Sequence, residues 1–155
     1  MHAEFASPID DRYFEDYVVG HVHQFGAIEV SEQDIIEFAR KYDPQSFHID
    51  AAASTQFGGL IASGWHTAAL MMRMCVDHYL SRVASLASPG LDELRWTKPV
   101  RPGDTLRVRA TVLDTRPSAS RPDRGLVRSL VEVINQHGDV VMSMKAMNML
   151  KRRGQ

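Results

Sequence analysis

The chain has little cysteine, almost no excess charge of either sign and no long apolar run. Its one cysteine, Cys75, excludes an intramolecular disulfide and favours a reducing compartment. Cys75 lies in the apolar stretch "LMMRMCV", where a small core residue is a simpler expectation than a nucleophile. Lys plus Arg number 18 against 19 Asp plus Glu, a formal net charge of −1. That balance argues for neither nucleic acid nor an anionic membrane as partner. The longest apolar region, "LIASGWHTAALMMRMCV", is interrupted by Arg73 and is short for a bilayer span. The first stretch, "MHAEFASPIDDRYFEDY", carries Glu4, Asp10, Asp11, Glu15 and Asp16 without an apolar core segment, and does not read as a secretory signal. A cytoplasmic location is the resulting expectation.

What is present is ordinary for one globular domain. The 155 residues are 44% hydrophobic and 24% charged. Residues 1–12 read as a flexible leader and residues 151–155, with Lys151, Arg152 and Arg153, as a frayed basic tail. Between them, "YVVGHVHQFGAIEV" reads as a strand that bends or bulges at a glycine. "SEQDIIEFARKY" reads as a helix with Ser31 as N-cap and Ile35, Ile36, Phe38 and Ala39 on one apolar face. "DAAASTQFGGLIAS" suggests a short helix and a turn at Gly58-Gly59. A long helix from about Ser63 to Val83 is apolar almost all round, which predicts burial on most sides. "LDELRWTKPV", "DTLRVRATVLDT", "LVRSLVEVINQ" and "DVVMSMKAMNML" then read as strands, the last two joined by a tight turn at His137-Gly138. The alternation of Leu106, Val108, Ala110 and Val112 with Arg107, Arg109 and Thr111 puts one face of its strand in the core. This order predicts an α+β domain in which an antiparallel sheet wraps one long central helix, the hot-dog arrangement. A sheet of that kind leaves an open edge, so a homodimer or higher homo-oligomer is expected.

The segment "KYDPQSFHID" carries the first chemical signal. On a helix, Asp43 and His48, five residues apart, would be rotated about 140° from one another and could not share a face. Pro44 disfavours the helical conformation at Asp43, so the chain bends there. A histidine titrating near neutrality beside a carboxylate can share one water, with proton acceptance and donation at the same place. The plainer alternative is a turn at Asp43 and a packed His48. The second signal is "FGGLIASGW". If Ser63-Gly64 opens the long helix, its first N–H groups are unpaired and sit at the positive end of the helix dipole, where they could hold an oxyanion. The alternative there is a glycine that only permits close packing.

Together, "EFARKYDPQSFHIDAAAS" and "FGGLIASGWHT" resemble the MaoC-like dehydratases, a hot-dog family that includes (R)-specific enoyl-CoA hydratases. Asp43, His48 and Ser54 match the family's Asp, the His five residues later and the small residue six after that. Pro-Gln stands where Asn-Pro is usual, and Ser63-Gly64 stands where the family has His-Gly. "KPVRPGDTLRV" is similar to the family's following strand-turn-strand, and the likeness spans residues 13–150. The resemblance implies that Asp43 and His48 activate water for addition to C3 of a trans-2-enoyl thioester while the Gly64 N–H polarises the carbonyl. It implies Ser63, Trp65 and Phe57 as substrate contacts, no metal, and no cofactor beyond the coenzyme A or acyl carrier protein of the acyl thioester itself. Some members carry a supporting serine further along the helix, where this chain has Met72.

Other residues have plainer expectations. His66 is expected to pack, and His21 and His23, on one strand face, lack an evident third metal ligand. Most methionines are expected in the core. Among Arg95, Lys98, Arg101, Arg107 and Arg109, one or two could meet the phosphates of a carrier. Two other functions remain at this point. One is a hot-dog thioesterase, which usually places a carboxylate on or beside the central helix, whereas "SGWHTAALMMRM" has no acid before Asp77. The other is a non-catalytic acyl-thioester binder.

Overall fold

The structure, a computed structural model, describes residues 2–154. Five antiparallel strands form one sheet in the order β1-β3-β4-β5-β2, with β1 Val22–Glu29, β2 Gly90–Trp96, β3 Thr105–Pro117, β4 Arg124–Ile134 and β5 Val140–Lys151. The sheet wraps α2, Gly64–His78, and α1, Glu32–Tyr42, follows β1. This is the expected hot-dog α+β domain.

The local signals explain most elements. Ser31 caps α1, its hydroxyl accepting from the Asp34 N–H at 3.1 Å, and Ile35 and Ala39 are fully buried. In β3 the even positions Leu106, Val108, Ala110 and Val112 are sealed in the core, as their alternation demands. Methionines 71, 74, 142 and 144 fill the space between α2 and the sheet. β1 carries a bulge between Phe25 and Ile28. Gly26 sits there at φ +84°, where a Cβ would run into the Met74 side chain, so both the backbone angle and the close approach require glycine. The β4–β5 turn is closed by the Asn135 side chain, which accepts from the N–H groups of His137 and Asp139 at 2.9 and 3.0 Å.

Three expectations need correction. The first strand begins at Val22, since Val18 and Val19 lie in an exposed turn ahead of it. The long helix ends at His78 and does not reach Val83. No glycine or proline marks that end. Arg12, 6% exposed, supplies it from a distant part of the chain by donating to the carbonyls of His78 and Tyr79 at 3.0 and 3.1 Å. A cation on a helix C-terminus is favoured by both the hydrogen bonds and the dipole. The helix is also not buried all round. Trp65, Met72 and Val76, spaced 7 and 4 residues apart, form an exposed apolar stripe, with Trp65 packed 5.0 Å from the exposed Trp96 of edge strand β2.

The N-terminal residues expected to be a flexible leader are docked. Phe5 lies between the Arg12 guanidinium, 3.5 Å from its centroid, and the His23 ring, stacked at 3.9 Å. The basic tail docks on this segment, with Arg153 paired to Asp11 and Asp16 at 3.1 and 2.9 Å. Gln155, the last residue of that tail, lies outside the described residues. No helix among the described residues is long and apolar enough to cross a membrane.

Candidate active site

The bend at Asp43 is built by the end of α1. Asp43 is the C-cap, its N–H donating to the Ala39 carbonyl at 2.8 Å, and its backbone leaves the helical region at φ −150°, ψ 68°. Pro44 cannot continue the helix. A short 3-10 turn, Ser46–His48, then swings His48 back towards Asp43. Ser54, fully buried, braces this loop with its hydroxyl 2.9 and 2.7 Å from the carbonyls of Phe47 and Asp50, its single proton shared between them. That is a structural reason for a small hydroxyl residue at this third motif position.

His48 is 5% exposed and oriented by the backbone. Its Nδ1 lies 2.7 Å from the Ile61 carbonyl, which can only accept, so Nδ1 carries the proton. Nε2 is left facing Asp43 Oδ2 at 3.3 Å. With the imidazole neutral, both atoms present lone pairs, and one water donating a hydrogen to each would satisfy both. The orientation of His48 therefore needs no serine on the helix, and Met72, in the position where one was considered, is 47% exposed on the outer stripe.

The Asp43 carboxylate is held at both oxygens. Oδ1 accepts from the Gln45 side-chain amide at 2.7 Å and Oδ2 from the Ser63 hydroxyl at 2.7 Å. These two hydrogen bonds, Gln45 first and Ser63 second, hold its pKa below the usual carboxylate value, with the nearby His48 adding a smaller pull. Asp43 is thus a carboxylate at neutral pH. Ser63, expected as a substrate contact, is fully buried and is not among the residues lining the cavity. It is at once the clamp on Asp43 and the N-cap of α2, accepting from the Trp65 N–H at 3.3 Å.

That cap decides which helix donor is free. The Trp65 N–H is taken by the Ser63 hydroxyl, and those of His66 and Thr67 by the Ser63 carbonyl at 3.0 and 3.2 Å. The Gly64 N–H has no partner among the described residues. The Trp96 indole covers Gly64 and donates to its carbonyl at 2.9 Å, and a Cβ on Gly64 would enter that ring. Glycine is needed here for the close approach of an indole.

Asp43, His48, Phe57, Gly64, Trp65 and Trp96 line one cavity of about 370 Å³, which also reaches Thr67 and Lys98. Phe57 and Trp65, expected as substrate contacts, are both in its wall. Ile61 and Trp96 were not legible in advance, since the first acts through its carbonyl and the second is 32 residues from the glycine it covers. Of the five basic residues considered for a carrier, Lys98 lines the cavity, paired with Asp139 at 2.6 Å. Arg101 donates to the Phe57 carbonyl beside it, whereas Arg109 is occupied by Glu132 at 3.0 Å. His66 packs, stacked on Phe38 at 4.7 Å. The rings of His21 and His23 lie 6.1 Å apart, and no group of three potential metal-ligating side chains occurs among the described residues.

Comparison with known proteins matches the chain to a family and its fold. A family profile described as a MaoC like domain matches residues 17–134. A MaoC-like dehydratase from Rhodospirillum rubrum superposes with a TM-score of 0.86 at 41% identity, over 93% of this chain and 99% of that one. The R-hydratase PhaJ1 from Pseudomonas aeruginosa superposes with a TM-score of 0.74 at 29% identity, over 91% and 86%. A mesaconyl-CoA hydratase from Cereibacter sphaeroides is 38% identical over 77 residues, half of this chain, and the matched part is 21% of that longer protein.

Proposed function

This chain belongs to the MaoC-like dehydratase family, and from that premise we propose that it is a hydro-lyase that reversibly adds water to a trans-2-enoyl thioester. The observation that carries the proposal is the meeting of Asp43 Oδ2 and His48 Nε2, 3.3 Å apart, in one cavity with the unpaired Gly64 N–H. Water donates one hydrogen to each of the two side chains. His48 Nε2 takes a proton as the water oxygen bonds to C3. The C2=C3 electrons shift to the thioester oxygen, where the Gly64 N–H at the positive end of α2 stabilises the enolate. His48 then returns the proton to C2, and the net change is H at C2 and OH at C3. Asp43, already a carboxylate, orients the water and favours the imidazolium. The steps balance without an added redox or metal cofactor, and the carrier, coenzyme A or acyl carrier protein, belongs to the substrate. The reverse direction dehydrates a 3-hydroxyacyl thioester.

The thioesterase alternative lacks support in the cavity. Asp43 is the one acid lining it, and Asp77 of α2 is spent on an exposed pair with Arg73 at 3.0 Å. We further propose a homodimer, because the stripe of Trp65, Met72 and Val76 beside the open edge strand β2 is apolar surface that a second copy would cover. The deciding experiment mixes the protein with crotonyl-CoA and follows the conjugated thioester absorbance. Loss with wild type and none with Asp43→Asn or His48→Ala is expected. Release of free thiol without hydration moves the assignment to a thioesterase.

A further inference from the structure

One polar side chain in the cavity has no part in the steps above. Thr67 lines the same cavity and is 2% exposed. Its hydroxyl has no hydrogen-bond partner among the described residues, yet it is not one of the sealed orphan atoms, which are His23 Nε2 and His66 Nδ1. What exposure it keeps is therefore on the cavity wall. A helical threonine commonly satisfies its hydroxyl on the carbonyl one turn back. Here that carbonyl, of Ser63, already accepts the N–H groups of His66 and Thr67 at 3.0 and 3.2 Å.

Helix geometry says where this free donor stands. Three residues after Gly64, Thr67 is one short turn on, about 4.5 Å along the axis and about 60° from the same face. Side chains tilt towards the helix N-terminus, so that of Thr67 leans over the turn that holds Gly64. Two donors without partners, the Gly64 N–H and the Thr67 O–H, thus serve one end of the cavity. We infer that Thr67 is the second donor to the acyl carbonyl oxygen, holding it together with the Gly64 N–H. The inference rests on the acyl-thioester reading of the site but not on the hydration step.

The test separates the carbonyl contact from packing and from turnover. Wild type, Thr67→Val and Thr67→Ser are titrated calorimetrically with butyryl-CoA and with S-butyl-CoA, a thioether that lacks the carbonyl oxygen. Each is also assayed with crotonyl-CoA, and thermal melting checks that both variants fold. Valine keeps the shape and loses the hydroxyl, so it is expected to weaken butyryl-CoA about tenfold while leaving the thioether unchanged. It should lower kcat about a hundred- to a thousandfold, the range for loss of one oxyanion-hole donor. Serine should retain most of both. The inference is overturned if valine matches wild type, if serine loses as much as valine, or if wild type does not prefer the thioester over the thioether. Carbonyl-dependent binding through Thr67 without hydration would overturn the hydro-lyase and leave Thr67 standing. Hydration unaffected by Thr67→Val would do the reverse.

Discussion

Ser63→Ala is the substitution on which the reasoning about Asp43 can be tried most directly. The hydroxyl does two things at once, donating to Asp43 Oδ2 at 2.7 Å and accepting from the Trp65 N–H at 3.3 Å. Loss of an N-cap costs about 1 kcal/mol. Loss of a hydrogen bond to a charged group costs about 1.5–3 kcal/mol. The two share one atom and the cap contact is long, so the sum is taken near its lower end, about 2–3 kcal/mol. For a domain of this size that lowers Tm by roughly 4–12 °C. The sign with pH follows from the depressed carboxyl. A carboxyl whose folded pKa lies below its unfolded value adds stability that is complete above the unfolded value, 3.8, and fades as pH falls through the folded one. Removing the Ser63 hydroxyl takes away one of the two hydrogen bonds that depress it, so the variant should differ most from wild type above about pH 4, and the gap should narrow below that to the cap contribution. Thermal melting from pH 3 to 7 measures both quantities, with Ser63→Thr as the variant that keeps the hydroxyl. A Ser63→Ala protein with wild-type Tm and the same acid limb would refute the claim that Ser63 clamps Asp43.

Three further outcomes are expected. Arg12→Ala should cost about 2–3 kcal/mol in chemical denaturation, because the carbonyls of His78, at the end of α2, and of Ser7, in the N-terminal segment, lose a charged donor, while that of Tyr79 keeps the Tyr17 hydroxyl at 2.6 Å. Cys75, whose thiol is pushed up to about 12 by burial, should react with a thiol reagent only on unfolding, so labelling in native buffer would contradict its placement beside Met71. His23 and His66 are held below the ordinary histidine value of 6.5, chiefly by burial. The unfolded chain binds more protons than the folded one there, so stability contributed above pH 6.5 should fall on acidification below it, and His23→Gln should flatten that slope in a Tm series.

Much of this was local and therefore legible. The capped helix α1, the alternation in β3 and the bend at Asp43-Pro44 each follow from neighbours a few residues apart, and period and turn chemistry carry such signals. The acid, the histidine and the glycine were visible as a motif for the same reason. The resemblance supplied their roles, which their spacing alone did not. What periodicity could not show was which apolar positions on α2 face the sheet. The helix is apolar on nearly every side, and only the packing leaves Trp65, Met72 and Val76 outside.

The sequence by itself determined the order of elements, the wrapped helix and the acid and histidine of the proposed site. Tertiary structure alone decided what each of them touches. Ser63 is clamped to a carboxylate 20 residues away, Gly64 lies under an indole 32 residues away, and α2 stops where an arginine more than 60 residues upstream reaches its last carbonyls. Such contacts leave no local pattern, because a hydrogen bond is set by where folding brings two groups and not by their separation along the chain.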